Sequence, residues 1–174
     1  VACAAPLRGK KGAHYEGGMR VPFIAAWAKP DADNPLQQKL KIPAGAVLDQ
    51  VASVCDLFPT ITELVGVDAP AGHIVDGKSM RKLLTGNRDA EREESFLMHY
   101  PHHPHRSNYF TSLRTGDWKV VYHYFPSAQS EGVHYQLYNL AEDPFESRNV
   151  AVSQQDVLTS MMQRLAAELE KHNA

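Results

Sequence analysis

Cysteine is scarce in this chain, with two in 174 residues. Cys3 and Cys55 are too few for a disulfide framework, and they lack the CxxC spacing of a metal or redox site, which leaves the redox compartment open. No run approaches the roughly eighteen apolar residues of a bilayer-spanning helix, so no membrane partner is expected. Neither sign of charge dominates. A formal net charge of −2 argues against nucleic acid or a membrane surface as a partner. The opening residues, VACAAPLRG, have no charged segment followed by an apolar one and do not read as a signal peptide. Internal repeats and low-complexity tracts are absent too. What remains is a 43% hydrophobic composition, that of a soluble globular chain long enough for one domain or two small ones.

What the chain does have begins with a basic, glycine-rich stretch, PLRGKKGAHYEGGMR, from Pro6 to Arg20. Arg8, Lys10, Lys11 and Arg20 stand beside Gly9, Gly12, Gly17 and Gly18. Such a loop suits an anion, because glycine lets backbone approach a ligand and lysine offers a point charge to a tetrahedral oxyanion. The plain alternative is a solvated basic turn. Glu16 and Arg20, four apart, would tie the turn back on itself as an ion pair. Val21 to Ala28 is a continuous apolar run and predicts a strand buried on both faces, as in a parallel sheet. Lys29 to Ala44, with Pro30, Pro35 and Pro43, reads as a surface loop.

Asp56 to Gly66, DLFPTITELVG, predicts a short amphipathic helix laid on that sheet. Asp56 is its expected N-cap, Leu57, Ile61, Leu64 and Val65 its inner face, and Gly66 its C-cap. One or two further helical turns are expected over Ser79 to Leu84. The charged stretch Asn87 to Ser95 marks a change of pattern, which divides the chain into residues 1–88 and 89–174. Beyond it come short runs rich in aromatic and β-branched residues: Phe96–Tyr100, Tyr109–Arg114, Trp118–Tyr124 and His134–Tyr138. These predict a small antiparallel sheet, with a hairpin at Thr115-Gly116-Asp117. In the third run Trp118 and Tyr122 alternate with Lys119 and His123, the period of a half-buried strand. Asp143-Pro144 makes a turn, and Gln154 to Lys171 predicts a final helix with Ser153 as N-cap and Leu158, Met161, Met162, Leu165 and Leu169 on one face.

The order of residues in the first stretch carries a resemblance. KGAHYEGGMRVPFIAAW is similar to the signature KGxxxEGGxRxPxxxxW of the sulfatases, the formylglycine-dependent branch of the alkaline-phosphatase superfamily. DLFPTITELVG, DGKSMRKLLTG, LRTGDWKVVYHY and LYNLAEDPFESRNVA follow in the family's order, and together they resemble a sulfatase's C-terminal portion. The implied fold class is α/β: residues 1–88 as the C-terminal part of an alkaline-phosphatase-like sandwich, then residues 89–174 as an antiparallel subdomain packed with a C-terminal helix. The implied activity is hydrolysis of sulfate monoesters to an alcohol and sulfate. Lys11 holds the position of the family's sulfate-contacting lysine and is the candidate catalytic and substrate-binding residue. A positioned ammonium there stabilises the negative charge that builds on the sulfate oxygens. Arg8 either supports that site or faces solvent.

MHYPHHPHRSNY, Met98 to Tyr109, gathers His99, His102, His103 and His105. By resemblance to HYPH segments at the mouth of bacterial sulfatase active sites, His99 and His102 are candidates to contact the substrate's alcohol or sugar part. A metal site there would lack any nearby Asp, Glu or Cys, and Pro101 and Pro104 exclude helical presentation, so no metal ligands are assigned. Cys3 in CAAPLR does not fit CxPxR or CxAxR, since Leu7 stands where arginine is required. The family's formylglycine and calcium ligands precede the KGxxxEGG loop and are expected outside this chain, which alone is expected to be inactive and to self-associate. The resemblance also implies a periplasmic or secreted enzyme. Alternatives are a phosphodiesterase or phosphonate hydrolase of the same superfamily, or a noncatalytic histidine-rich binding module.

Overall fold

A computed structural model of the chain describes residues 4–101 and 108–172. In chain order the elements are α1 (Glu16–Met19), α2 (Pro35–Lys39), α3 (Leu57–Val65), α4 (Arg81–Leu84), β1 (Ser95–Tyr100), β2 (Phe110–Thr115), β3 (Trp118–His123), β4 (Tyr135–Asn139) and α5 (Gln155–Lys171). They fall into two compact units, Val1–Val21 with Ser95–Ala174, and Pro22–Glu94. The second boundary lies in the charged stretch after Asn87, while the first 21 residues belong with the sheet.

The sheet unit is an antiparallel meander in the order β1-β2-β3-β4. Thr115 pairs with Trp118, so Gly116 and Asp117 make a two-residue hairpin loop, and Gly116 supplies the positive φ of 55° that the turn needs. Side chains alternate across the sheet. One face carries Leu113, Val120 and Leu137, which pack with Ala151 and with Met161 and Leu165 of α5. Phe110, Val121 and Tyr138 lie on the other, against Tyr15 and Leu140. β3 is therefore buried on both sides. Lys119 and His123, expected to face outward, are each 0% exposed, because the chain around Tyr15 covers their face. Helix α5 matches its predicted span but starts without a side-chain cap: Gln154 holds the cap position, and the Ser153 hydroxyl donates to the Val150 carbonyl instead.

In the unit Pro22–Glu94 the predicted strand Val21–Ala28 is absent. Those residues belong to no helix or strand, and Val21 and Ile24 are 76% and 92% exposed. A strand buried on both faces needs neighbours for its N–H and C=O groups, and the meander is the only sheet among the described residues. The predicted loop 29–44 contains α2, which Asn34 caps by accepting from Leu36 and Gln37 N–H, with Pro35 in the first turn. Helix α3 is present and ends as predicted at Gly66 in the left-handed region. Its Ile61 and Val65 are exposed rather than laid on a sheet.

Asp56 stands at the N-cap position of α3 as expected, but its side chain makes no cap hydrogen bond to that helix. It closes a capping box with Ser53 around the 3-10 turn Val54–Asp56, accepts the Lys78 N–H at 2.8 Å, and pairs with Arg92 at 2.9 Å. Arg92 also donates to the Lys78 and Ser79 carbonyls. One buried ion pair thus stitches the start of α3 to the segment leading into α4. No helix among the described residues is long and apolar enough to cross a membrane.

Candidate functional site

The basic loop is held to the sheet from both ends. Gly17 N–H donates to the Arg8 carbonyl at 2.7 Å, closing the loop at its base. The Arg8 guanidinium donates to the Tyr138 hydroxyl at 3.0 Å and to the Glu146 carbonyl at 2.9 Å, and lies 3.8 Å over the Tyr15 ring. The Tyr15 hydroxyl donates to Gln136 Oε1 at 3.0 Å. Glycines Gly17 and Gly18 are needed for close approach rather than for positive φ: a Cβ on Gly17 would lie 2.5 Å from the Arg8 carbonyl oxygen, and one on Gly18 would fall on the Ala13 and Lys10 carbonyls. What comes close to the backbone at these two positions is the loop's own chain.

Glu16, in the first turn of α1, is the hub. Its carboxylate meets Lys119 Nζ at 3.0 Å, accepts from Arg20 Nε, and stands 3.6 Å from Arg114 Nη1. Its N–H donates to Glu146 Oε2 at 2.6 Å, and Lys119 Nζ reaches Glu146 Oε1 at 2.8 Å. Lys119 thereby bridges two buried carboxylates from different segments. Burial alone would raise the Glu16 carboxyl, but the Lys119 charge and the Arg20 and Lys119 hydrogen bonds outweigh it and hold the group below the usual carboxylate range. Glu146 goes the other way. Burial raises its carboxyl, Lys119 offsets this only in part, and the neighbouring Glu16 adds to the rise. Glu146 also has a φ of 54°, in the left-handed region that costs a non-glycine residue about 1–3 kcal/mol. Three contacts from this residue, to Lys119, to Glu16 N–H and to Arg8, accompany that strain.

Lys11 lies on the exposed outer part of this loop, between the Arg8 and Glu16 anchors, and no ion pair or hydrogen bond engages its ammonium among the described residues. Lys10 is exposed as well. His99, the penultimate residue of β1, is half-buried, with Nδ1 2.8 Å from Thr111 Oγ1. By strand alternation its side chain shares the face of Thr111 and Leu113, whereas the loop packs on the face of Phe110 and Val121. The His99 side chain and the side chains that seat the loop thus stand on opposite faces of the sheet. His102, His103 and His105 lie outside the described residues, as does Cys3. Cys55 is a free, exposed thiol. The Glu16–Arg20 pair is present as expected.

Sequence reasoning missed Lys119, Arg114 and Glu146 as partners of the loop. For Lys119 a signal existed: Val120 and Val121 are adjacent apolar residues in one strand, which requires both faces to be covered. For Glu146, in an exposed-looking DPFESRN turn, none did.

Residues 10–174 match the family model described as N-sulphoglucosamine sulphohydrolase, C-terminal. Over 94% of its length the chain is 30% identical to Arylsulfatase D of Homo sapiens, of which it spans 29%. It is 26% identical to the solved structure of Ps i-CgsB, with a TM-score of 0.64, covering 94% of this chain and 32% of that one. Ps i-CgsB has also been solved in complex with k-i-k-neocarrahexaose. A structure of BT4656 in complex with its substrate D-glucosamine-2-N,6-O-disulfate shares the fold, at 23% identity and a TM-score of 0.54, over 68% of this chain and 24% of that one. The chain thus spans less than a third of each of these proteins.

Proposed function

The chain belongs to the sulfatase family as a C-terminal region of the alkaline-phosphatase superfamily type, and from that premise we propose that the complete enzyme hydrolyses sulfate monoesters to an alcohol and inorganic sulfate. The match of residues 10–174 to the family model carries the reading. In it, Lys11 contacts the sulfate group and His99 and His102 contact the alcohol part at the substrate mouth. The exposed ammonium of Lys11, without an ion-pair or hydrogen-bond partner among the described residues, supports this role. A cation fixed beside the sulfate favours the transition state, where charge on the oxygens grows, over the ground state. The complexes of Ps i-CgsB and BT4656 support a sulfated carbohydrate as substrate class.

Membership of the family implies calcium and formylglycine in the complete enzyme. The described residues do not fit that metal, since no group of three or more His, Cys, Asp or Glu is placed to hold an ion. Those ligands are assigned to residues outside this chain. In this reading residues 1–88 complete the catalytic α/β domain, residues 89–174 form the C-terminal subdomain, and the enzyme is exported to the periplasm or secreted.

The test is Lys11→Ala in the full-length protein. Hydrolysis of para-nitrophenyl sulfate should fall by about 10²–10³-fold, the loss seen when one fixed donor to a developing oxyanion is removed. An unchanged rate would remove Lys11 from the site.

A further inference from the structure

We infer that Lys119, at the centre of β3, is a positioning residue for Lys11: its buried ammonium clamps the base of the loop that presents Lys11. The inference rests on the reading of Lys11 as the sulfate-contacting residue. Lys11 has no side-chain partner among the described residues, so its place is set by the backbone on either side. That backbone is pinned at Arg8, which reaches Tyr138 and the Glu146 carbonyl, and at Glu16, whose carboxylate lies on Lys119. The Gly17 N–H to Arg8 carbonyl bond joins the two pins.

Lys119 is 0% exposed and reaches two carboxylates, Glu16 of the loop at 3.0 Å and Glu146 of the β4–α5 connection at 2.8 Å. Glu146 in turn accepts the Glu16 N–H. If only stability were needed, an apolar residue beside Val121 would serve as well, because desolvating a lysine and two carboxylates offsets most of what their attraction gains. What the charges add is a single allowed placement of Glu16, and with it of the loop. A hydrophobic contact would let the loop slide. An ion pair bridging two segments does not, and at a reacting centre a shift of about 1 Å costs on the order of 10²-fold in rate.

The experiment is a double-mutant cycle in the full-length enzyme, with para-nitrophenyl sulfate as the probe. Lys119→Met should lower kcat by about 10²-fold with a smaller change in KM, and Lys119→Arg, which keeps the charge, should recover part of the loss. Lys11→Ala combined with Lys119→Met should be no slower than Lys11→Ala alone, because nothing is left to position. Losses that multiply would overturn the inference and leave Lys119 a structural residue. Should Lys119→Met fail to fold, Glu16→Gln, which keeps the shape but removes the charge and one of the two acceptor oxygens, takes its place in the cycle, and the same two outcomes decide. If Lys11→Ala itself leaves kcat unchanged, the sulfate-contact reading falls, and the positioning inference with it. If Lys11→Ala is slow and the cycle additive, only the positioning inference falls.

Discussion

His14, three residues beyond Lys11, is 1% exposed, with Tyr15, Phe110 and His123 rings around it at centroid distances of 4.0, 4.9 and 4.8 Å. Neither of its ring nitrogens has a hydrogen-bond partner among the described residues. Burial first, then the charges of His123, Lys119 and Arg8, hold it down at about 3, from an ordinary 6.5. Burial lowers His123 as well. The unfolded chain therefore binds protons that the folded one refuses, so stability is full above the ordinary value and falls as pH drops through the interval from 6.5 to about 3. Glu16, held low, loses its contribution only in the acid part of that window, and Glu146, held high, works in the opposite direction. Between about pH 7 and about pH 5 the loss of stability on acidification thus comes from the histidines, and Glu146 opposes it. Thermal midpoints of the full-length protein should fall across it, and His14→Phe should flatten the fall; an unaltered slope in that variant would count against the assignment. Little of this was legible in the sequence. A histidine beside a tyrosine in a basic loop reads as solvated until the sheet face that receives it is known.

At the scale of elements, the four strands, the hairpin and α5 were legible because each carries its own signal: β-branched alternation, a Gly-Asp turn, and apolar residues at helical spacing. Leu165→Ala, on the inner face of α5, should cost about 2–5 kcal/mol of unfolding free energy, read by denaturant titration. What the sequence could not show was which partners an apolar run would find. Val21–Ala28 has the composition of a central strand but no ladder partner among the described residues, and α3 has an amphipathic pattern with Ile61 and Val65 left outward. Asp56 has the residue type of a cap and the job of a tie, since its acceptors serve Ser53, Lys78 and Arg92. Asp56→Ala leaves the Arg92 guanidinium buried without its partner and should cost about 3–5 kcal/mol. The loss should appear as faster amide exchange over residues 53–80, and protection equal to the wild type there would rule out the tie.

Over the whole molecule, apolar exposure is concentrated in the unit Pro22–Glu94, where Val21 at its edge, Phe23, Ile24, Val47, Val54, Ile61 and Ile74 are all exposed. The 174-residue chain made alone should self-associate, and the replacement Ile24→Lys should reduce this. Light scattering reads both, and a monodisperse wild-type monomer would contradict the prediction. The sheet unit is different in kind, because it is assembled from two stretches of chain, Val1–Val21 and Ser95–Ala174, separated by the other unit. Its loop was read as part of residues 1–88 because composition follows the chain, whereas the charges that seat the loop sit more than a hundred positions downstream at Lys119 and Glu146. For anyone building hybrids between relatives, that spacing sets the cut points. A C-terminal half transplanted from one enzyme onto another will seat the recipient's loop only if Glu16, Lys119 and Glu146 travel as a matched set, so exchanges of substrate preference by swapping segments should respect that trio before they respect any domain boundary.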